Sequence, residues 1–283
     1  MMTATDTSPA GPITTRATDA LVCVVLPTYN EADNLPALTA AVLALDIANL
    51  AIVIVDDASP DGTGQVADRL ATLHPGRVFV LHRTSERGLG RAYVEGFRHA
   101  LSIGAQYVVQ MDADFSHSPA DVGRLLAAAA GADLVIGSRY VAGGGLDSDW
   151  NWWRRFLSWW ANKVWAQFFL GTQIQDATAG FRCWRRATLE GIGLERVRSN
   201  GYVFQVEMSF MAERLGYRIV EIPIYFEDRR VGHSKMSAQV KFEAAWRTAT
   251  LRWRHRRLAR EGRMRSAVVA PDAPIAHGSS AAP

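Results

Sequence analysis

Apolar residues along the chain fall into short unbroken runs, and polar residues gather at one end of each run. Residues 21–26 (LVCVVL), 51–55 (AIVIV), 78–81 and 107–111 are short, apolar and rich in β-branched side chains, the pattern of strands buried on both faces. Helical patterns lie between them. One starts at Asp33 or Asn34 as cap, with Pro36 in its first turn and Leu38, Val42 and Leu45 on its apolar face. A second ends near His74, and a third runs from Gly88-Leu89-Gly90 to about Ile103. Strands alternating with helices predict a parallel sheet with helical crossovers. Beyond it the pattern predicts a helix over 119–130, a strand over 133–137, a helix over 201–215 and a strand over 219–224. Pro223 places that last strand at an edge.

The polarity of the strand ends is one-sided. Thr28 to Glu31, Asp56 to Asp61 and Asp112 to His117 follow three of the strands, whereas Ala20, Ala51 and Gln106 mark their amino ends. Ligands of parallel sheets bind outside the carboxyl ends of the strands, so this asymmetry predicts a site along that edge. Asp112-Ala113-Asp114 sets two carboxylates one residue apart. They suit a hard divalent cation held by oxygen ligands, which would grip a diphosphate; the alternative is a strand cap followed by a turn. Arg139, in Ser138-Arg139-Tyr140, ends a strand on the same edge and suits an anion or a surface ion pair. Residues 176–182 read as a polar loop in which Asp176 orients a sugar or acts on a neighbouring arginine. Residues 229–235 combine Arg229, Gly232, Ser234 and Lys235, a phosphate-binding loop or a solvated basic turn. A dinucleotide-binding fingerprint is missing after the first strand, and so is a Walker lysine motif. Gly88 and Gly90 read instead as a flexible helix opening near the ligand.

Composition narrows the class. The 283 residues are nearly half apolar, enough for one large α/β domain or two small ones, and the net charge of +3 is too small to imply nucleic acid. Cys23 and Cys183 have neither CxxC spacing nor a histidine cluster, which argues against a disulfide framework or a zinc site and fits a reducing compartment. Residues 1–19 read as a disordered leader, and no apolar run approaches the roughly 20 residues that span a bilayer. Residues 150–170 hold six of the nine tryptophans, beside Arg154, Arg155 and Lys163. This predicts an interfacial helix at lipid headgroups, with a buried helix or a dimer interface as alternatives. A basic helix over 237–262 ends in an arginine cluster suited to anionic lipid. Nucleic acid is the alternative, without a recognisable motif for it. Residues 263–283 read as a disordered tail.

Taken together, PTYNE, DDASPDGT, GLGRAY, DADFSH, GSRY, DATAGFR and FEDRRVGHSK resemble the family-two inverting glycosyltransferases, and among them the dolichol- or polyprenol-phosphate mannosyltransferases. The resemblance covers about residues 21–240. It implies a GT-A fold over 20–236: a mostly parallel α/β sheet flanked by helices, with acceptor- and membrane-facing helices toward the C-terminus. It implies a GDP-mannose donor, with Pro27, Tyr29, Glu31, Val55 and Asp57 at the guanosine and Asp112, Ala113 and Asp114 at the diphosphate. Asp112 and Asp114 would hold Mg2+ or Mn2+, and Arg229 and Lys235 would neutralise the diphosphate. Arg139, Arg154 and Ser158 would bind the phosphate of a polyprenyl acceptor. Relatives often carry glutamine where Ser116 stands, so that position is not among the expected metal ligands. The resemblance further implies a peripheral enzyme on the cytoplasmic face of the membrane, with an integral membrane protein or acyltransferase subunit as a partner and no nucleic acid. A glucosyltransferase using polyprenyl phosphate, another family-two sugar transferase, and an inactive nucleotide-sugar-binding subunit are the competing readings.

Overall fold

The strand β1 (Val22–Thr28) is buried along its whole length, as an unbroken apolar run requires. In this computed structural model, which describes residues 19–84, 87–147, 167–227, 250–255 and 258, β1 pairs in parallel with β2 (Leu50–Asp56) and β4 (Tyr107–Gln110). On the far side of β2 lies β3 (Val78–His82), also parallel. The register sets Thr28 beside Asp56 and Asp56 beside His82. The polar turns after β1 and β2 therefore leave the sheet side by side.

Three helices return the chain between these strands: α1 (Leu35–Leu43), α2 (Thr63–Leu73) and α3 (Leu89–Ser102). Asn34 stands at the cap position of α1, but its side-chain amide donates to Glu31 Oε2 (2.8 Å) and makes no cap bond to the helix. Both α1 and α2 share a face with α4 (Asp121–Ala129), where Leu38, Val42, Leu70, Val122 and Leu125 pack on the sheet. The opposite face is covered by α3 and α7 (Tyr202–Arg214), with Tyr93, Phe97, Trp184 and Phe204 buried together. Gly96 lets α3 approach the strands. A Cβ there would sit 2.4 Å from Val25 Cγ1 and 3.0 Å from Val55 Cγ2.

The full sheet has the order β3-β2-β1-β4-β7-β5-β8, with β5 (Leu134–Ser138), β7 (Arg182–Arg185) and β8 (Ile219–Pro223). As Pro223 predicts, β8 is an edge strand. The strand β7 is new to the sequence reading. It runs antiparallel between β4 and β5, so its first residue, Arg182, lies at the edge where its neighbours end. Also unforeseen are α6 (Arg186–Ile192) and a two-stranded parallel ladder of β6 (Gly145–Leu146) with β9 (Tyr225–Phe226).

The expected tryptophan-rich helix is described only at α5 (Gln167–Leu170), and the expected basic helix only around residues 250–258. Arg154, Ser158, Arg229 and Lys235 lie outside the described residues. Among those residues no helix is long and apolar enough to cross a membrane.

Candidate active site

The non-glycine residues with positive φ among the described residues are Asn30 (60°), Ala58 (55°) and Phe115 (60°). They sit just beyond β1, β2 and β4, in the three turns whose polarity marks the edge. Each such conformation costs about 1–3 kcal/mol and persists only where the surroundings enforce it. Hydrogen bonds within and between the turns supply that enforcement. Asp56 accepts from Ser59 Oγ (2.5 Å) and from Thr28 Oγ1 (3.4 Å). Asp61 accepts from Thr63 N–H and Oγ1 and from Ala32 N–H, which ties the β2 turn to the β1 turn. Slight burial acts to raise the pKa of Asp61, but these hydrogen bonds outweigh it and hold the carboxyl below its usual range.

The residues expected at the guanosine reach this edge in different ways. Pro27 and Val55 are register partners in the sheet. Val55 is fully buried in the core packed by α3, so its main chain is the part that can meet a ligand. Tyr29 lies beneath Arg87, whose Nη1 donates to the Tyr29 hydroxyl (2.9 Å) and whose guanidinium stands 4.8 Å from the ring centroid. Glu31 N–H donates to Thr63 Oγ1 (2.9 Å). Asp57 takes an ion pair from Arg83 on one oxygen and Gly88 N–H (2.7 Å) on the other, so it anchors the approach to α3. Gly88 and Gly90 are packing glycines: a Cβ on Gly90 would meet Ser199 O at 2.8 Å and Phe204 Cβ at 2.9 Å.

Behind that approach, Glu207 on α7 is wholly buried. Its Oε2 accepts from Arg198 N–H (3.1 Å) and Ser199 N–H (2.7 Å), and His255 Nε2 lies 2.7 Å from its Oε1. The next residue, Asn200, accepts from Gly90 N–H (3.0 Å), so Glu207 supports the start of α3 from below. Burial acts to raise the pKa of Glu207, but bonds from His255 and Ser199 and the His255 charge prevail and lower it. A folded-state value below the unfolded value, about 4.3, adds stability above that pH and loses it as pH falls through the folded value. The melting-temperature gap between wild type and Glu207→Gln is therefore expected to narrow as pH drops below about 4.3. Calorimetry at several pH values checks this; a gap independent of pH would refute it.

Asp112 and Asp114 both stand at the end of β4, and each is held by its own donor. Tyr93 donates from α3 to Asp112 Oδ1 at 2.7 Å. Its phenol is fully buried, and burial together with the Asp112 charge pushes its pKa well above the usual value, so it stays a donor. Ser116 donates to Asp114 Oδ1 from its N–H (3.1 Å) and its hydroxyl (2.6 Å). His117 is buried and stacked on Phe181, and its Nδ1 accepts from Asp112 N–H at 3.3 Å. Burial lowers its pKa against the pull of the two aspartates, which keeps Nδ1 an acceptor. Ala113 is buried between the two aspartates.

Opposite Asp112 lies Gly180. A Cβ there would stand 3.2 Å from Asp112 Oδ2, so glycine keeps that oxygen uncrowded. Two hard oxygen donors on one short turn, one facing a glycine, fit a divalent cation. No group of three His, Cys, Asp or Glu that could hold a metal occurs among the described residues.

Arg139 follows β5 and is held by the 176–182 loop. Its Nε donates to Asp176 Oδ2 (2.7 Å) and its Nη2 to Asp176 Oδ1 (2.6 Å). Of the two roles open to Asp176, the structure realises the pairing with an arginine. Sequence reasoning missed Arg182, which is wholly buried and donates to the carbonyls of Ala179, Gln205 and Ala177. It also missed Tyr93, Glu221 and the close approach of Gly180. The DATAGFR pattern carried a signal for Arg182, because an arginine beside Phe181 and Trp184 in an apolar stretch needs internal partners.

A largely parallel sheet with carboxylate-bearing turns at one edge, and an antiparallel strand set beside the Asp-x-Asp turn, defines the GT-A class of nucleotide-sugar transferases. Residues 23–193 match Glycosyl transferase family 2, and the chain belongs to that family. It is 48% identical over 239 residues to polyprenol monophosphomannose synthase of Mycolicibacterium smegmatis, covering 84% of this chain and 89% of that protein. It is 48% identical over 223 residues to undecaprenyl-phosphate mannosyltransferase of Micrococcus luteus, covering 79% and 90%. Among solved structures, glucosyl-3-phosphoglycerate synthase from Mycobacterium tuberculosis, in complex with Mn2+, UDP-glucose and phosphoglyceric acid, superposes with a TM-score of 0.58. That match has 19% identity and covers 83% of this chain and 80% of the other; the likeness is one of fold.

Proposed function

We propose that the chain transfers mannose from GDP-mannose to a polyprenyl phosphate with inversion, giving a β-mannosyl phospholipid and GDP. The observation that carries this reading is the shared edge: one loop, residues 176–182, meets both the Asp112 carboxylate and the Arg139 guanidinium, with Asp114 on the same turn as Asp112. The names of the two relatives, a polyprenol monophosphomannose synthase and an undecaprenyl-phosphate mannosyltransferase, support the sugar and the acceptor.

Asp112 and Asp114 would hold Mg2+ or Mn2+, which when bound supplies charge neutralisation at the diphosphate. Tyr93 and Ser116 keep the two carboxylates in place for that task. Arg229 and Lys235 are assigned to the leaving diphosphate, and Arg139, Arg154 and Ser158 to the acceptor phosphate. A phosphate monoester has a second pKa of about 6, so the acceptor is largely dianionic at neutral pH and needs no protein base. The protein's work is to bring two mutually repelling anions into line. The tryptophans of residues 150–170 and the arginines near the C-terminus suit a peripheral position on the cytoplasmic face of a membrane, with an integral membrane protein or acyltransferase subunit as a partner.

The test supplies polyprenyl phosphate and a divalent cation with labelled GDP-mannose, GDP-glucose or UDP-glucose in parallel. Mannolipid from GDP-mannose, lost on chelation and β-configured by NMR, is the expected result. Preference for a glucose donor would make the chain a glucosyltransferase, and no transfer from any donor would make it a binding subunit.

A further inference from the structure

Asp176 and Thr178 hold the guanidinium of Arg139 from one short loop. Asp176 accepts from Nε (2.7 Å), from Nη2 (2.6 Å) and from the Arg139 main-chain N–H (2.9 Å). Thr178 Oγ1 accepts from Nη2 at 2.8 Å. A planar fork gripped along the Nε–Nη2 edge has both its plane and its direction set, with Nη1 at the other end of the fork. The rings of Tyr140 and Phe226 flank it, at 5.5 and 5.4 Å from the guanidinium carbon.

The holder is itself held. Asp176 is wholly buried, and its main-chain N–H donates to Glu221 Oε1 (2.9 Å), while Gln175 N–H donates to Glu221 Oε2 (2.8 Å). Farther along the same loop Gly180 lies against Asp112. The loop thus forms a bracket from Asp112 at the end of β4 to the arginine at the end of β5.

We propose that Asp176 is a positioning residue for the acceptor: it aims Arg139 at the incoming phosphate and takes no proton from it. This rests on the reading of Arg139 as an acceptor-phosphate ligand. The geometry opposes a base. Both carboxylate oxygens already accept from the arginine, and a buried carboxylate in a bidentate pair has no path to a phosphate oxygen that does not break that pair. Aim matters here because the site must keep two phosphate groups apart, and a cation free to swing would serve either one.

Asp176→Asn keeps the side-chain volume and one acceptor but removes the charge and the second acceptor. Steady-state kinetics of the full chain with GDP-mannose and a short polyprenyl phosphate in detergent test the idea. The acceptor KM is expected to rise by about 10- to 100-fold, the loss of one charge-assisted contact. The GDP-mannose KM and the pH–rate profile should stay as in wild type. A kcat loss of about 100-fold or more at unchanged acceptor KM, with the acid limb of the pH profile gone, would make Asp176 a base and overturn the proposal. Should Asp176→Asn fail to fold, Thr178→Ala replaces it: its smaller rise in acceptor KM should vanish in an Arg139→Lys background, and full additivity would overturn the proposal. Arg139→Lys alone separates the two layers. An unchanged acceptor KM there would sink the acceptor reading of Arg139 itself. A raised one, beside an unaffected Asp176→Asn, would sink only the positioning role.

Discussion

Asp114→Asn is expected to lower transfer by about 10²- to 10³-fold, the usual loss when one preorganised group is removed from developing charge, while the fold stays intact. The choice of asparagine follows from the turn. Asp114 Oδ1 accepts from Ser116 N–H and from Ser116 Oγ, and the residue is almost fully buried. Asparagine can keep its carbonyl oxygen in that place, so the strained turn at Phe115 retains its closing bonds. What it cannot keep is the charge, and a divalent cation bound mainly by carboxylates loses affinity with each charge removed. Manganese titration followed by EPR should accordingly show weaker binding in the presence of GDP, with an unchanged melting curve. Near-normal turnover in a folded Asp114→Asn protein would remove Asp114 from the metal site.

Arg182→Met should destabilise the fold by about 3–5 kcal/mol, the range for breaking a buried charged network by deleting one partner. Native domains hold only about 5–15 kcal/mol in total, so this variant should also give little soluble protein. Arg182 is inaccessible to solvent, and its three nitrogens donate to Ala179 O (2.8 Å), Gln205 O (2.9 Å) and Ala177 O (2.8 Å). Methionine fills similar space but leaves three buried carbonyls without that donor. Burial pulls the Arg182 pKa down to about 9, while the charges of Asp176 and Glu221 act to raise it, so the side chain is charged at neutral pH. Its loss would also weaken the electrostatic support of Asp176 and Glu221. Urea unfolding with an unchanged m-value measures the cost. A loss below about 1 kcal/mol, a typical net hydrogen bond, would show that the loop does not depend on its internal arginine.

The two variants have opposite consequences, which reflects how the edge is built. Asp114 is a nearly buried charge held in place by a local turn. Arg182 is a charge withdrawn from solvent so that the loop above it has a fixed shape. Gly180, two residues before Arg182, lets the same loop approach Asp112.

Most of the parallel half of the sheet was legible from the order of residues. Uniform apolar runs such as 21–26 and 51–55 can satisfy their main chain only by pairing on both edges, and β1 and β2 do so. The polarity after each run marked the edge at which the polar turns meet. The strand β7 was not legible. Arg182 and Arg185 bound its four residues and the sequence set Arg182 in a polar loop, yet Arg182 is buried because carbonyls of its own loop and of α7 receive it. Tyr93 was equally hidden, since on a helix pattern it is one more aromatic on the apolar face.

The sequence by itself determined at which edge of the sheet the polar turns gather and which carboxylates stand there, because both follow from alternation and strand polarity, which are local. Only the tertiary structure decided what each charge does. Asp57 became an anchor for the approach to α3, Arg139 the partner of Asp176, and Arg182 the core of a loop. The partners in those pairs are 26 and 37 residues apart for the first two, and no local pattern encodes them. Burial raises the cost of an unpaired charge, and folding meets it with whichever donors and acceptors the strand order brings near.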